Sequence, residues 1–169
     1  MSICQTPTAV IIGAGRVGKT LGRLFIKHEC LAILAICNRS NESAKCAADF
    51  IGEGLPLCDI ASIPLADIYF ITTFDRAIAE VTQQLALNNK IQSGTTLVHC
   101  SGLYSVDVLQ DGLSCGARLL SVHPILSFAA PEVAIHDVAG MSCGYEGDKE
   151  AMALVGPLFE AIGARLFPL

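Results

Sequence analysis

Apolar residues occur along the chain in short, nearly unbroken runs. These runs do not alternate apolar with polar positions, a pattern typical of strands covered on both faces of a parallel sheet. Each run is too short for a helix of ordinary length, and polar or turn-forming residues follow it. We therefore predict one strand in each of seven runs, at positions 9–12, 31–37, 68–72, 96–100, 118–122, 141–145 and 165–167.

Segments with a helical period lie between several of these runs. Their apolar residues form three stripes, namely Val17, Leu21, Leu24 and Phe25, then Phe74, Ile78, Val81 and Leu85, and finally Met152, Val155, Phe159 and Ile162. Such stripes predict amphipathic helices that cover a sheet. The alternation predicts an α/β fold with a doubly wound, mostly parallel sheet. Positions 55–64 and 128–138 contain proline and lack a period, so we predict loops there, with at most a short strand or turn.

A glycine-rich motif follows the first predicted strand and opens the first predicted helix. It has the spacing G-x-G-x-x-G and comprises Gly13, Ala14, Gly15, Arg16, Val17 and Gly18. In a Rossmann-type fold the first glycine allows a tight turn, the second lets a pyrophosphate approach the backbone, and the third lets the helix pack on the sheet. The helix N-terminus offers free N–H groups to the phosphates. We therefore predict that this loop binds a dinucleotide.

The same segment also matches the phosphate-binding pattern of P-loop nucleotide triphosphatases. Positions 13–20 read G-x-x-x-x-G-K-T, in which Lys19 would reach the β- and γ-phosphates and Thr20 would bind Mg²⁺. That site also needs a carboxylate, usually an aspartate at the end of another apolar strand. The candidate strands end in asparagine, in a pair of threonines and in cysteine followed by serine. A P-loop triphosphatase therefore remains an alternative, although none of these strands ends in the carboxylate that its Mg²⁺ site needs.

The end of the second predicted strand bears on which dinucleotide is bound. An enzyme that prefers NAD(H) usually carries Asp or Glu about 20 residues beyond the glycine loop, for the ribose 2′-hydroxyl. This strand ends instead in Asn38, Arg39 and Ser40. Arg39 can make charge-assisted hydrogen bonds to a 2′-phosphate, to which Asn38 and Ser40 would add neutral contacts, so we predict NADP(H) rather than NAD(H). Alternatively, Arg39 is a solvated surface residue and Ser40 or Asn41 only caps the next helix.

Composition and charge exclude several classes of partner. Apolar residues make up 52% of the 169 residues, and the mean hydropathy is +0.54. No apolar run, however, approaches the roughly 20 residues of a membrane-spanning helix. The net charge of −5 and the lack of a basic stretch argue against nucleic acids and anionic membranes as partners. Because no secretory signal precedes the first strand, we expect a cytoplasmic protein. The length of the chain leads us to expect that residues 1–169 form a single domain.

Four segments together resemble one group of Rossmann-like oxidoreductases. They are positions 10–20, 38–40, 99–102 and 121–124, and the likeness extends over essentially the whole chain, including positions 147–167. The sequence is similar to Rossmann-like proteins with a C-terminal domain of unknown function, to pyrroline-5-carboxylate reductase, to ketopantoate reductase and to the deazaflavin-dependent NADP oxidoreductases. The resemblance implies NADP binding. It also implies a C-terminal helical domain that forms the dimer and closes the substrate site, and we expect this chain to lack that domain.

Candidate chemical groups lie where further predicted strands end, which is the ligand-binding edge of such a sheet. Thr72, Thr73 and Phe74 would border the cofactor. Ser101 could hydrogen-bond a substrate or the nicotinamide carboxamide, or it could be part of a connecting turn. His123 could exchange the proton that accompanies hydride transfer, or it could only tie down the following loop. The histidine–proline pair is similar to a motif of prephenate dehydrogenase, in which a strand-end histidine assists oxidation.

The cysteines occur singly and without metal-binding spacing, so we predict small, reduced core residues and no metal site. They are Cys4, Cys30, Cys37, Cys46, Cys58, Cys100, Cys115 and Cys143. Cys100 is also a weak candidate for a nucleophile. The one base that its spacing supplies is His99, whose side chain should point to the opposite face of the strand.

Three functions remain open at this point. The first is an NADP-dependent oxidoreductase that transfers hydride between the nicotinamide and a small carbonyl, imine or hydroxyl substrate. The second is a non-catalytic dinucleotide-binding module or subunit, in which a second copy or a partner chain covers an apolar surface. The third is the P-loop triphosphatase, which would require Mg²⁺ and ATP or GTP.

Overall fold

The computed structural model describes residues 6–169, which form eight strands and five α-helices. The strands are β1 (Thr8–Ile12), β2 (Ala32–Cys37), β3 (Leu55–Leu57), β4 (Ile68–Ile71), β5 (Thr96–His99), β6 (Arg118–Pro124), β7 (Ser142–Gly147) and β8 (Arg165–Pro168). The helices are α1 (Arg16–Lys27), α2 (Asn41–Ile51), α3 (Ile78–Leu87), α4 (Pro131–Asp137) and α5 (Lys149–Ala161).

All eight strands belong to one sheet with the order β3-β2-β1-β4-β5-β6-β7-β8. The first six strands of the chain pair in parallel. β7 runs antiparallel to β6, and β8 is parallel to β7. Because β1 lies between β2 and β4, the loops that follow these three strands meet at one edge of the sheet, where the order of strands reverses.

Each of the seven strands predicted from the apolar runs is present. The irregular positions 55–64 contain β3 and a 3₁₀ turn at Ile60–Ser62, in keeping with the short strand or turn predicted there. The loop predicted at positions 128–138 is wrong, because α4 lies within it. This helix has seven residues and Ala134 is its buried residue, so it is too short to show an apolar period.

The second predicted helical stripe is wrong at its first member. Phe74 is 67% exposed and precedes a 3₁₀ turn at Asp75–Ala77, after which α3 begins at Ile78. Ile78 and Leu85 are buried as the stripe predicts. The side chain of Phe74 therefore stands at the edge of the sheet where β4 ends, and not in the core.

The core consists of two layers, one on each face of the sheet. Side chains of β1 alternate between them, so that Ile11 belongs to the layer that includes residues of α1, α2 and α5. Val10 belongs to the layer that includes residues of α3 and of the long 3₁₀ segment Val106–Cys115. In the first layer the Phe25 ring centroid lies 5.5 Å from that of Phe70 and 5.5 Å from that of Phe159. Both faces of the strand are thus covered, which explains its unbroken apolar sequence.

The cysteines do not all follow the core prediction. Cys37 and Cys143 are buried, whereas Cys46 and Cys58 are exposed, so the prediction is wrong for the latter two. Both exposed cysteines lie outside the strands, where an adjacent apolar residue does not ensure burial. Cys4 lies outside the described residues. Between residues 6 and 169 no helix combines the length and apolar character needed to cross a membrane.

Candidate functional site

The glycine loop between β1 and α1 is held by backbone and side-chain contacts. The Gly13 N–H donates to the Cys37 carbonyl oxygen (2.8 Å), and the Thr72 hydroxyl donates to the Gly13 carbonyl oxygen (3.0 Å). Gly13 has a φ of +78°, and a Cβ there would lie 2.7 Å from the Thr73 Cα. Both the backbone conformation and the close approach of the β4 loop therefore require glycine.

Gly15 and Gly18 have opposite surroundings. A Cβ on Gly15 would face open space, with the Gly13 carbonyl oxygen 3.9 Å away as its nearest neighbour. A Cβ on Gly18 would overlap the Thr72 side chain and lie 3.2 Å from Ile11 Cγ2. Gly18 thus allows α1 to pack against the sheet, while Gly15 leaves the loop open to a ligand.

The N-terminus of α1 faces this opening. Gly15 is its N-cap residue, and neither a capping side chain nor an acidic residue of the first turn is found in this described part of the chain. The first N–H groups of an α-helix have no acceptor within the helix, and they carry the positive end of its dipole. The loop therefore presents uncapped donors beside the surface that Gly15 leaves open, an arrangement suited to a phosphate group.

The P-loop alternative is contradicted by the geometry of Lys19 and Thr20. α1 already begins at Arg16, so both residues lie within the helix. The Thr20 hydroxyl is fully buried and donates to the Arg16 carbonyl oxygen (2.8 Å). Lys19 Nζ lies 3.3 Å from Cys46 Sγ on α2. A buried hydroxyl with this partner is not available to bind a metal ion.

Asn38 supports the glycine loop. Its Oδ1 accepts a hydrogen bond from the Ala14 N–H (2.7 Å), and its Nδ2 donates to the Ser43 Oγ (2.9 Å). Both ends of this buried amide thus have a partner within the chain, which gives Asn38 a structural role, and its predicted contact with the cofactor stays a prediction. Ser40 is the N-cap of α2, where its Oγ accepts from the Ser43 N–H (3.2 Å), as the capping alternative proposed.

Arg39 is exposed, like Ser40, and its side chain is directed toward Phe74. Its Cζ lies 5.7 Å from the centroid of the Phe74 ring, within the range of a cation–π interaction. Arg39 follows β2 and Phe74 follows β4, so the two side chains approach each other across the end of β1, where the glycine loop lies. No acidic residue stands at positions 38–40.

Two buried polar atoms at the same edge have no hydrogen-bond partner among residues 6–169. They are Thr73 Oγ1, next to Gly13, and His123 Nδ1, at the end of β6. A buried polar group without a partner is destabilising by about 1–3 kcal/mol. Together with the uncapped helix and the open space at Gly15, the unpaired Thr73 hydroxyl next to Gly13 makes the edge a suitable place for a ligand with polar groups.

His99 organises the loop after β5. It is fully buried, its Nδ1 accepts from the Ser101 N–H (3.1 Å), and its Nε2 lies 3.3 Å from the Ser105 carbonyl oxygen. These partners fix the tautomer with the proton on Nε2. Burial lowers the pKa of His99, which keeps the ring neutral, although Ser105, Glu146 and Asp75 act in the opposite direction.

The predicted site residue Ser101 lies in the loop after β5, and His123, near the end of β6, lies beside that loop. The Ser101 Oγ accepts from the N–H groups of Leu103 (3.1 Å) and Tyr104 (3.4 Å), so its lone pairs belong to the turn while its proton stays available. The half-buried imidazole of His123 lies against Gly102, where a Cβ would be 2.6 Å from Nε2. The structure thus brings the β5 loop and the β6 histidine together.

Cys100 is unsuited to act as a nucleophile. Burial, with a smaller contribution from Cys143, raises the pKa of its thiol to about 12. The thiolate is the reactive form of cysteine. Its neighbour His99 is already bonded to Ser101 and Ser105, so the nucleophile alternative is contradicted.

A family model described as a Rossmann-like domain matches residues 4–124, a segment that includes the glycine loop, β2, β4 and the loop after β5. The chain belongs to this family. The Rossmann-like fold predicted from the sequence, with its mostly parallel sheet flanked by helices, is therefore confirmed. No protein of curated function matches the chain by sequence.

Several solved structures share the fold. A candidate NADP oxidoreductase from Bacteroides fragilis is 20% identical, with a TM-score of 0.80 over 96% of this chain and 60% of that one. Prephenate dehydrogenase from Aquifex aeolicus, in complex with hydroxyphenyl propionate and NAD⁺, is 18% identical, with a TM-score of 0.80 over 100% and 61%. Pyrroline-5-carboxylate reductase from Coxiella burnetii is 15% identical, with a TM-score of 0.75 over 98% and 59%.

At these identities the likeness shows the fold alone. This chain spans about three-fifths of the length of these three proteins. The expected resemblance to Rossmann-like oxidoreductases, pyrroline-5-carboxylate reductase included, is confirmed at the level of the fold.

Proposed function

We propose that this chain is the NADP(H)-binding part of an oxidoreductase. The observation that carries the proposal is the uncapped N-terminus of α1 beside the open face of Gly15, with Arg39 at the end of β2. The first-turn N–H groups, among them those of Arg16 and Val17, would hold the pyrophosphate. The similar structures include an NADP oxidoreductase and a complex with NAD⁺, which supports a nicotinamide dinucleotide of either kind.

The preference for NADP(H) rests on the end of β2. A carboxylate there would repel a 2′-phosphate, and positions 38–40 carry none. The guanidinium of Arg39 is exposed and can donate two parallel hydrogen bonds to a phosphate. Asn38 would contribute indirectly. Its Oδ1 accepts a hydrogen bond from the Ala14 N–H and so holds the glycine loop next to Arg39.

The bound nicotinamide would supply the hydride chemistry, with a small carbonyl, imine or hydroxyl compound as substrate. The role of this chain would be to position and protonate that substrate. His123 would exchange the proton through Nε2, because its Nδ1 is buried without a partner. Ser101 would donate its free hydroxyl proton to the substrate or to the carboxamide, since its lone pairs already accept from Leu103 and Tyr104.

A non-catalytic dinucleotide-binding module is the second candidate function. Its support comes from the exposed apolar side chains of the loops at this edge, with Leu103 exposed by 72% and Ile125 by 56%. We propose residues 1–169 as one dinucleotide-binding unit, whose apolar edge is covered by a second copy or by a partner chain. In the enzyme such a cover would complete the substrate site, whereas in a module it would receive a signal from the bound dinucleotide.

Calorimetric titration with NADPH, NADH and Mg-ATP tests the proposal. NADPH should bind at least tenfold more tightly than NADH, a difference of about 1.4 kcal/mol, and Arg39→Ala should remove that difference while binding NADH unchanged. Arg76→Ala, which alters an exposed arginine just beyond Phe74, serves as the matched control and should keep the preference. Binding of Mg-ATP without NADPH, or equal affinity for NADPH and NADH, would overturn it.

A further inference from the structure

Phe74 is a large apolar side chain in an exposed position. The backbone around it is held in place, because the Thr72 N–H donates to the Ile12 carbonyl oxygen (2.9 Å) and the Ala77 N–H donates to the Phe74 carbonyl oxygen (2.8 Å). Its ring is nevertheless 67% exposed, so it gains little from burial in the chain. The position of this ring calls for another explanation.

The explanation lies in the contact with Arg39. The Arg39 Cζ is 5.7 Å from the Phe74 centroid, and both side chains are exposed. An aromatic ring attracts a guanidinium through its negative face, by about 0.5–1 kcal/mol at an exposed site. Contact with the face of a ring also leaves the N–H groups of the guanidinium able to donate to a phosphate.

We infer that Phe74 is a specificity-determining residue that positions Arg39 for the 2′-phosphate of the dinucleotide. A free arginine side chain loses considerable conformational entropy when a ligand immobilises it. The Phe74 ring restricts Arg39 before binding and so reduces this loss for a ligand that contacts the guanidinium. A ligand without a 2′-phosphate does not use the contact and gains nothing from it. This inference rests on the proposed function and adds to the proposed selectivity a residue from the loop after β4, whereas Arg39 follows β2.

Two nucleotide fragments test the inference without requiring any turnover. 2′,5′-ADP carries the 2′-phosphate and 5′-ADP lacks it, so the ratio of their dissociation constants measures selectivity. Phe74→Leu keeps an apolar side chain but removes the aromatic face, whereas Phe74→Tyr keeps that face. Phe74→Leu should reduce the selectivity ratio about two- to fivefold, the factor that corresponds to an exposed cation–π interaction. Phe74→Tyr should preserve the ratio.

The alternatives give different results. If Phe74 merely stacks on the adenine ring, Phe74→Leu weakens the binding of both fragments equally. The ratio of their dissociation constants then stays constant, which overturns the inference. A rise in the ratio also overturns it, because the Arg39–Phe74 contact would then compete with the phosphate. As a structural check, the side-chain Nε–H signal of Arg39 should show an aromatic ring-current shift in the wild type and in Phe74→Tyr, and lose it in Phe74→Leu.

Failure of the proposed function is recognised separately. In that case wild-type protein binds NADPH no more tightly than NADH, and 2′,5′-ADP no more tightly than 5′-ADP. Wild-type selectivity that persists undiminished in Phe74→Leu leaves the NADP(H) proposal intact and refutes the role of Phe74. Thermal unfolding of each variant shows that it is folded, and because Phe74 is exposed, its substitution should leave the unfolding temperature close to that of the wild type.

Discussion

The backbone N–H of Ala14 donates to the side-chain Oδ1 of Asn38 over 2.7 Å, which joins the glycine loop to the end of β2. The two residues are 24 positions apart in sequence. The pairing satisfies a buried amide and at the same time places the loop that would hold the pyrophosphate next to Arg39. Under the proposed function, support of the loop and selection of the dinucleotide would therefore reside on the adjacent residues Asn38 and Arg39.

Asn38→Ala should reduce the stability of the protein and weaken the binding of NADPH and of NADH to the same extent. It leaves the Ala14 N–H without an acceptor and removes the hydrogen bond to Ser43, a loss of about 1–3 kcal/mol in the free energy of unfolding. If Asn38 only supports the loop, as its hydrogen bonds to Ala14 and Ser43 indicate, the ratio of NADPH to NADH affinity should remain that of the wild type. Urea unfolding and calorimetric titration measure the two effects.

Ser43→Ala is the control for this experiment, because it removes the contact to Asn38 Nδ2 but leaves the one to Ala14. It should have a smaller effect on dinucleotide affinity than Asn38→Ala. A change of selectivity in Asn38→Ala without a loss of stability would show that Asn38 contacts the ligand after all.

Gly15→Ala and Gly18→Ala form a matched pair with opposite outcomes. A methyl group at Gly18 meets Ile11 Cγ2 at 3.2 Å and overlaps Thr72, so this variant should lose about 1–3 kcal/mol of stability. A methyl group at Gly15 meets no close neighbour, so the variant should unfold within about 0.5 kcal/mol of the wild type. It should nevertheless bind NADPH at least tenfold more weakly, because the methyl group occupies the open face. Wild-type affinity in Gly15→Ala would place the pyrophosphate elsewhere.

Gly102→Ala should reveal the contact between the β5 loop and His123. The added methyl group would lie 2.6 Å from His123 Nε2, so the ring or the loop must move, at a cost of about 1–3 kcal/mol. In a His123→Ala background the ring is absent and most of that cost should disappear. A double-mutant cycle on urea unfolding should therefore give an interaction energy of about 1 kcal/mol or more. Additive effects of the two substitutions would mean that the ring does not rest on Gly102.

The stability of the protein should fall in mildly acidic solution because of His99. Burial lowers the pKa of this residue below its ordinary value of 6.5, so the unfolded chain binds the proton more readily than the folded one. The stabilisation is fully present above the unfolded pKa and is lost as the pH falls from there toward the folded pKa. Protonation of Nδ1 would also remove the acceptor of the Ser101 N–H.

Urea unfolding between about pH 7.5 and 5 measures this dependence. His99→Gln should show a weaker dependence on pH over that range, whatever its stability at neutral pH. His28→Gln, which alters an exposed histidine, should retain the dependence of the wild type. An unchanged slope in His99→Gln would assign the acid sensitivity to another group.

The sequence alone was sufficient for the features that local patterns express. Strands buried on both faces carry unbroken apolar runs, and this is why β1, β4 and β5 could be located without the structure. The G-x-G-x-x-G spacing likewise predicted the turn at Gly13 and the close packing at Gly18, because glycine at these positions indicates that another segment approaches the backbone. That this segment is Thr72 and Thr73, more than 50 positions away, was visible only in the structure. In contrast, β3 and α4 have three and seven residues, too few to show a period.

The tertiary structure decided which polar residues are free to act. Asn38, Arg39 and Ser40 are adjacent polar residues, yet the Asn38 amide pairs with Ala14, the Ser40 hydroxyl caps α2, and the exposed Arg39 guanidinium lies over the Phe74 ring. The sequence therefore determined the sheet, the glycine loop and the lack of an acid after β2. The availability of a side chain depends on partners that are distant in sequence and brought near by folding, so it could be determined only from the folded chain.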